Sequence, residues 1–561
     1  MSEQNQHPIG EVSLALRQAA EETASPEAIV EDALERFKAS PDALYQDNSI
    51  QALKVIRQKN PAHYERICLN FKGHKTRLDR LTASEREDRG DSDQTRLIEL
   101  AQQTCTLGHD PNGRSWAIMH LGGVRQVWYV DDRGCKEWLR AIFFEATGRG
   151  VSDQVLSSVV ATLGAVGSFN GDMHEVHIRC AKHNGAYVLD LCNSSWQVVL
   201  ITERGWQVQD ESVVLFTRTQ NMRALPTPEA GGDVEVLWKY ANVAPHHRIL
   251  VLAWLLESLR PDTPFPILEI SGEQGAAKSS TQRWMRDLID PNKVALRGRP
   301  KAMEEIYIAS SNSWMVSFEN LSHLSPEQQD ALCTVSTGGG YATRQYYTNG
   351  DEFAVETKRP VMLNGIHPVA TQPDLIERLI SIEAPTIAPE NRQDEQRLAA
   401  DWQRDYPAIF SGLLDLFVQT LNRLPSVQLE RKYRMADFQK LGEAMAQSMG
   451  HPAGYFSELY GQVVSDGIDR GLESYGVANA LQVFLGDISS GVWEGTMLEL
   501  KGALDSMYMV EKSAWPKSPR GLSAQLKRLA PGLRKRGILI EHLGHSRNGS
   551  RVKISRTEGD S

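Results

Sequence analysis

The sequence predicts a multidomain protein, α/β at its centre and largely helical around it. Three observations carry that expectation. An apolar run at 265–270 reads as a buried strand, residues 271–281 (S-G-E-Q-G-A-A-K-S-S-T) as a glycine-rich turn, and 282–288 as a helix. Two more apolar runs, at 314–320 and 359–365, each close on a polar residue. Helical periodicity dominates on both sides of this centre, at about 8–81 and 390–475.

Length and composition agree. A chain of 561 residues holds several domains, and 41% hydrophobic with 24% charged residues is ordinary for a globular protein. No apolar run reaches the length of a membrane span, and residues 1–18 lack the charged start and apolar core of a signal peptide. The six cysteines (Cys68, Cys105, Cys135, Cys180, Cys192, Cys333) form no C-x-x-C pair. They read as thiols in a reducing compartment, so a cytoplasmic location is expected. Net charge is −10, yet residues 511–561 hold twelve Lys/Arg against four Asp/Glu. A basic module on an acidic chain points to a nucleic-acid surface confined to the C-terminus.

Taken in order, residues 1–81 read as helical, with Ile29, Ala33, Leu34 and Phe37 on one face and Tyr64, Ile67, Cys68 and Phe71 on another. Residues 82–95, highly charged, read as a linker. Residues 96–233 read as an α+β accessory domain, with strands at 116–119, 126–130, 176–179, 186–191 and 196–201 and a helix at 137–145. Within it His174 and His177 are only three apart and lack a third ligand, so they read as ordinary surface or core histidines. Pro226, Pro228, Gly231 and Gly232 mark the next boundary. Residues 234–388 form the α/β core and 389–476 a helical lid, with Leu413, Leu414, Leu416, Phe417 and Leu421 facing its interior. In the basic module, 477–561, Ser518 caps a helix with Pro519 at its first position, and Leu522, Leu526 and Leu529 form its stripe. Pro531 is expected to break or kink it, and strands at 538–540 and 552–554 flank Asn548-Gly549. Helices followed by a basic hairpin form a winged-helix pattern.

The central turn has the chemistry of a phosphate-binding loop. Backbone N–H groups of Gly272, Glu273, Gln274, Gly275, Ala276, Ala277, Lys278, Ser279 and Ser280 would converge on phosphate oxygens. Lys278 would reach the β- and γ-phosphates of ATP, and the Ser279 hydroxyl would ligate Mg²⁺. The motif calls for Gly immediately before the Lys, where this chain has Ala277. Glu319, closing W-M-V-S-F-E-N, is the second metal-binding candidate; Asn320 follows it, which leaves the general base open. Asn364, closing R-P-V-M-L-N-G, would point at the γ-phosphate if its strand lies between the other two; the alternative is a plain Asn-Gly turn. Arg378, in D-L-I-E-R, reads as an arginine finger for a neighbouring subunit or else as a surface ion-pair residue. Residues 341–359 carry a hairpin signal at Asn349-Gly350, with Arg344, Tyr346, Tyr347, Lys358 and Arg359 giving it cationic and aromatic character. Such a hairpin either tracks a nucleic-acid strand or is purely structural.

These pieces, G-E-Q-G-A-A-K-S-S, F-E-N, T-R-Q-Y-Y-T, K-R-P-V-M-L-N-G-I and D-L-I-E-R, resemble the superfamily 3 helicases of viruses and plasmids, a branch of the AAA+ ATPases. More closely, the chain resembles ATPases of phages and integrated mobile elements related to the helicase half of phage primase–helicases. The tail W-P-K-S-P-R-G-L-S-A-Q-L-K-R-L-A-P-G-L-R is similar to the C-terminal basic module of that group. The resemblance runs from about residue 234 onward. The family pattern has Asp in place of Glu319 and Gly in place of Ala277. It implies a P-loop NTPase core of AAA+ type and a homo-hexameric ring with ATP and Mg²⁺ at subunit interfaces. Single-stranded DNA would pass through the pore, with duplex DNA on the C-terminal module at Arg534, Lys535 and Arg536. No primase motif is present to carry primase activity over. The expected function is a DNA-dependent ATPase, a helicase in replication of a phage or mobile element; the alternative is a nucleotide-switched DNA-binding initiator or regulator that does not unwind DNA.

Overall fold

The structure is a computed structural model describing residues 25–37, 40–69, 74–82, 85–344, 352–473, 475–507, 515–546 and 549–556. The chain divides into two compact units, residues 1–120 with 128–173, and 121–127 with 174–561.

In the first unit, helices Pro26–Phe37, Asp47–Lys59, Pro61–Leu69 and Lys75–Leu81 bury Val30, Ala33, Leu53, Ile56, Tyr64, Ile67 and Leu78 in one cluster. Phe71 lies outside the described residues. The stretch read as a linker is instead helical: one helix runs Glu85–Thr104. Charged residues are compatible with a helix, and this one is anchored by Leu97 and Ala101, both fully buried just beyond the charged run. A second core gathers those two residues with Trp138, Leu139 and Phe143 of helix Arg133–Thr147 and Leu156, Val159 and Leu163 of helix Asp153–Asn170. Strands Cys105–His109 and Ser115–Leu121 pair antiparallel beside them.

The accessory domain expected at 96–233 does not hold together as one body, because the division falls at 173/174. Residues 180–209 form an antiparallel meander, Cys180–His183, Ala186–Asp190, Val198–Thr202 and Gly205–Gln209, that belongs with the α/β core. The physical reason is a buried charge network. The Arg179 guanidinium, fully buried, donates to Asp290 Oδ1 (3.2 Å), Asp190 O (3.0 Å) and Arg223 O (2.9 Å). Asp290 in turn accepts the Met315 N–H (3.1 Å) and pairs with the buried Arg286. Charges without water must be paired and fully hydrogen-bonded, so the meander cannot leave the core without exposing that cost.

The core sheet contains β1 (Ile267–Ser271), β2 (Val316–Leu321), β5 (Val361–Gly365) and β6 (Leu379–Glu383), all parallel, in the order β2-β5-β1-β6. Between them lie α1 (Lys278–Asp287), α2 (Met303–Asn312), α3 (Pro326–Thr337), the hairpin β3 (Gly339–Arg344) and β4 (Glu352–Thr357), and α4 (Pro373–Ile376). Arg297 bridges in parallel to Phe318 at the β2 edge, a one-residue fifth member of the sheet. The near-continuous apolar runs that predicted these strands are what a sheet covered on both faces requires. The stretch read as a helical lid holds α5 (Glu395–Arg423), α6 (Ala436–Ser448) and α7 (Tyr455–Glu473), and their buried Phe410, Leu413, Leu414, Phe417 and Phe438 join the main core cluster.

The C-terminal module runs α8 (Gly476–Gly486), β7 (Val492–Thr496), α9 (Met497–Met507), α10 (Pro519–Lys535), β8 (Ile538–Ser546) and β9 (Gly549–Arg556), with sheet order β7-β9-β8. Ser518 caps α10 through the Gly521 N–H. Pro531 does not end that helix, which continues to Lys535. Leu529 and Leu533 are buried on either side of Pro531, and their burial offsets the roughly 3 kcal/mol cost of an interior proline.

Candidate functional site

The glycine-rich loop joins β1 to α1, and its conformation is set residue by residue. Gly272 has φ +150°, and a Cβ there would lie 2.6 Å from Ala384 O. Gly275 has φ +86°. Ala277, at φ 54° and ψ 29°, is left-handed and immediately precedes the first residue of α1. An L-residue in that conformation costs about 1–2 kcal/mol. The departure from the expected Gly is thus a backbone cost first, whatever its effect on a bound phosphate. Lys278 curls over the loop, Nζ donating to the carbonyls of Gly272 and Glu273 (both 2.8 Å); burial lowers its pKa.

The other polar residues meet the loop at the carboxyl ends of the parallel strands, where open α/β sheets bind ligands. Asn364 stands level with Ile270, the penultimate residue of β1. Its strand lies between the loop strand and the Glu319 strand, as the γ-phosphate expectation requires. Its side chain is 1% exposed and held on both sides. Oδ1 accepts the Asn320 N–H (2.8 Å), while Nδ2 donates to Gln282 Oε1 and lies 3.5 Å from Ser279 Oγ. Asn320 can present its N–H this way because it takes a left-handed φ of 54° at an irregularity in β2. Glu319, beside it, is half-buried, and its carboxylate has no hydrogen-bond or ion-pair partner among the described residues. An uncommitted carboxylate, a hydroxyl and an anchored amide are the donor set a hard divalent cation and a phosphate need.

Three contributors carry no motif. Gln282, fully buried on α1, donates to Ser317 Oγ (2.8 Å) and Phe318 O (3.1 Å) and so fixes the amide that holds Asn364. Asn242 ties the loop to the chain after β6, donating to Ala276 O (3.0 Å) and Pro385 O (2.7 Å). Arg392, exposed, places Nη2 within 3.3 Å of where a Gly275 Cβ would sit, and its guanidinium has no hydrogen-bond or ion-pair partner among the described residues. None of the three is marked in the sequence, because what distinguishes each is a partner brought to it by the fold.

Arg378 does not join this site within its own chain. Its carbonyl accepts the Ile267 N–H at the start of β1, the opposite end of the sheet, roughly 13–16 Å away at strand spacing. Its side chain is 12% exposed and ion-paired to Asp374, which also binds Arg434 (2.8 Å). Burial acts to raise the Asp374 pKa, but Arg378 and Arg434 hold it below the usual carboxylate range.

Of the expected DNA contacts, the hairpin exists, Gly339 pairing with Thr357 through to Arg344 with Glu352. Tyr346 and Tyr347, with the Asn349-Gly350 turn, lie outside the described residues. Lys358 is half-buried against Gly338 and its pKa is lowered by burial. Arg359 faces inward: it donates to the carbonyls of Ser310 (3.0 Å) and Ser313 (3.2 Å) at the C-terminus of α2 and lies over the Trp314 ring (5.2 Å). Helix-end carbonyls lack intrahelical partners and attract cations, so this arginine is structural. In the C-terminal module Arg534 is exposed, but Lys535 and Arg536 are not free: Lys535 bonds Glu377 (3.3 Å), and Arg536 pairs with Asp469 and Glu473 (3.8 Å for the latter).

Among the described residues no group of three His, Cys, Asp or Glu could hold a metal ion, and no helix is long and apolar enough to cross a membrane.

Residues 234–459 match the family "Actinomycete integrative conjugative element replication protein", AICE RepA, and residues 477–560 match the AICE RepA C-terminal domain, together more than half of the chain. No curated protein matches in sequence. Among solved structures, the apo C-terminal region of NrS-1 is 12% identical over 82% of this chain and 98% of that one, with a TM-score of 0.36. JCV helicase bound to a thiazolopyridine-phenoxyphenyl acetamide is 11% identical over 40% of this chain and 66% of that one, with a TM-score of 0.20. Scores that low do not establish a shared fold.

Proposed function

We propose that this chain, which belongs to the AICE RepA replication-protein family, is a ring-forming DNA-dependent ATPase that acts as a replicative helicase of a mobile element. Its core is a P-loop NTPase of AAA+, superfamily 3-like type, with a helical lid and a C-terminal winged helix. The observation that carries the reading is the strand order: the Asn364 strand lies between the loop strand and the Glu319 strand, and all three features sit at the carboxyl end of the sheet.

In this account the loop 272–280 binds ATP through its N–H groups, and Lys278 exchanges its two loop carbonyls for phosphate oxygens. Ser279 and Glu319 would hold Mg²⁺, which supplies charge neutralisation on the phosphates. Asn364, locked by Gln282 and the Asn320 N–H, orients the attacking water or the γ-phosphate. Arg392 adds positive charge at the rim. Arg378 would act in a neighbour's site; its position far from its own loop fits a role in trans and requires that it leave Asp374. The hexamer, the pore strand of DNA read by Arg344, Tyr346, Tyr347 and Lys358, and the cytoplasmic setting complete the proposal.

A second reading, a nucleotide-switched initiator that does not unwind DNA, is favoured by the strained Ala277 and by Asn320, rather than a second acid, following Glu319. Forked-duplex unwinding with ATP separates the two. A helicase separates the strands and Lys278→Ala does not; an initiator binds ATP and DNA yet leaves the fork intact.

A further inference from the structure

The helix α10 carries cations on two faces, and the structure gives them different surroundings. With 3.6 residues per turn, Leu522, Leu526, Leu529 and Leu533 share one buried stripe. Arg528 and Lys535, one on each side of Pro531, share a second face, which lies against the ATPase core. Arg528 Nη1 is 3.4 Å from Gln372 Oε1, and Lys535 Nζ is 3.3 Å from Glu377 Oε1. Arg536, at the helix end, adds the pairs to Asp469 and Glu473 of α7. The backbone is close here as well: a Cβ at Gly532 would meet Leu472 Cδ2 at 3.3 Å and Ile468 Cγ2 at 3.5 Å. A cavity of about 260 Å³, lined by Ile376, Leu472 and Leu529 among others, marks this seam.

The third face is different. Arg520, Lys527 and Arg534 are spaced by seven residues, so they drift by only about 20° per step and form one line roughly 20 Å long. All three are exposed, and none of their side chains has a hydrogen-bond or ion-pair partner among the described residues. No Asp or Glu occurs between residues 517 and 540 to neutralise them. The neighbouring sheet offers no comparable row, because Arg551 pairs with Glu494 (2.6 Å) and Lys553 with Glu541 (3.8 Å).

We infer that Arg520, Lys527 and Arg534 form the site that grips the phosphate backbone of duplex DNA, and that Arg528, Lys535 and Arg536 hold the module on the core instead. This deepens the DNA-binding part of the proposed function and rests on it, but not on ATP hydrolysis. An uncompensated line of cations on a helix's solvent face matches a polyanion. On the paired face Lys535 and Arg536 are already neutralised by acids of the core, and Arg528 lies against the Gln372 amide, so they would have to give up those partners to bind phosphate.

The test uses the full chain without nucleotide and a fluorescent DNA duplex, titrated across a series of salt concentrations. Each phosphate contact contributes about 0.9 to the slope of log K against log salt. Arg520→Gln, Lys527→Gln and Arg534→Gln should each flatten the slope by about that much, and the triple variant by roughly 2.7. Arg520→Lys with Arg534→Lys should keep it. Arg528→Gln with Lys535→Gln and Arg536→Gln should leave the slope within about 0.5 of wild type and lower the thermal unfolding midpoint instead. A stripe triple with wild-type slope, or a docking triple that loses it, overturns the assignment. So does a wild-type chain with no measurable duplex affinity, which would also remove DNA binding from the proposed function. Wild-type slope changes in a chain unable to bind ATP would keep this inference and discard the motor.

Discussion

Ala277→Gly should stabilise the protein, although replacing Ala by Gly ordinarily does the reverse. At a helical or extended position the substitution loosens the unfolded chain and costs about 0.4–1 kcal/mol. At φ 54° and ψ 29° it also relieves the left-handed penalty of an L-residue, about 1–2 kcal/mol. The difference is a gain of about 0–1.6 kcal/mol, centred near 0.8. Ala277 is only half-buried, so little apolar burial goes with its one methyl. Urea unfolding followed by tryptophan fluorescence reads the change, since Trp254, Trp284 and Trp402 all lie in the cluster that contains Ala276 of the same loop. Because the loop is already curled, ATP affinity should move by less than about threefold. Ala277→Val should move the other way, since a β-branched residue is worse still at positive φ. The reasoning fails if Ala277→Gly destabilises by the ordinary half to one kcal/mol, for then residue 277 is not left-handed in solution.

Three further substitutions probe the rest of the site and its support. Asp290→Asn leaves Arg179 and Arg286 buried without their countercharge, and should cost about 3–5 kcal/mol in urea unfolding; a loss under 1 kcal/mol would show that the 174–233 segment is not fixed by that network. Gln282→Ala frees the Asn364 amide, so steady-state phosphate release should fall by about tenfold or more while ATP binding changes by less than threefold. Equal losses in both would make Gln282 a folding residue only. Arg392→Ala should weaken ATP binding about three- to tenfold, measured by fluorescent-nucleotide titration, with Arg392→Lys partly restoring it; unchanged affinity would remove Arg392 from the site.

What was legible in the sequence was whatever has a short local pattern. The strand–turn–helix around Lys278, the strand ends at Glu319 and Asn364, and the hairpin from Gly339 each occupy roughly twenty residues or fewer and obey fixed periods. Long-range pairing was not legible. Arg179 and Asp290 are 111 residues apart, and nothing near either announces that the segment beyond residue 173 is welded to the core. Asn242 and Gln282 look like ordinary amides until the loop they brace is in place. Charge density alone did not reveal local surroundings in two places. The acidic and basic run before Leu97 is helical rather than a linker, and Lys535 and Arg536, the densest positive charge, are held by acids of the same chain. In strand β7, V-W-E-G-T, one glycine and a charge obscure the alternation that marks a strand.

The most direct test of the central claim is equilibrium binding of ATP with magnesium to the full chain and to its Lys278→Ala variant. Wild type should bind, and loss of the ammonium should weaken affinity by at least about tenfold, or 1.4 kcal/mol and upward, because a charge-assisted contact to phosphate disappears. Equal affinity in the two proteins, or none in either, would contradict the assignment of the loop and everything placed around it.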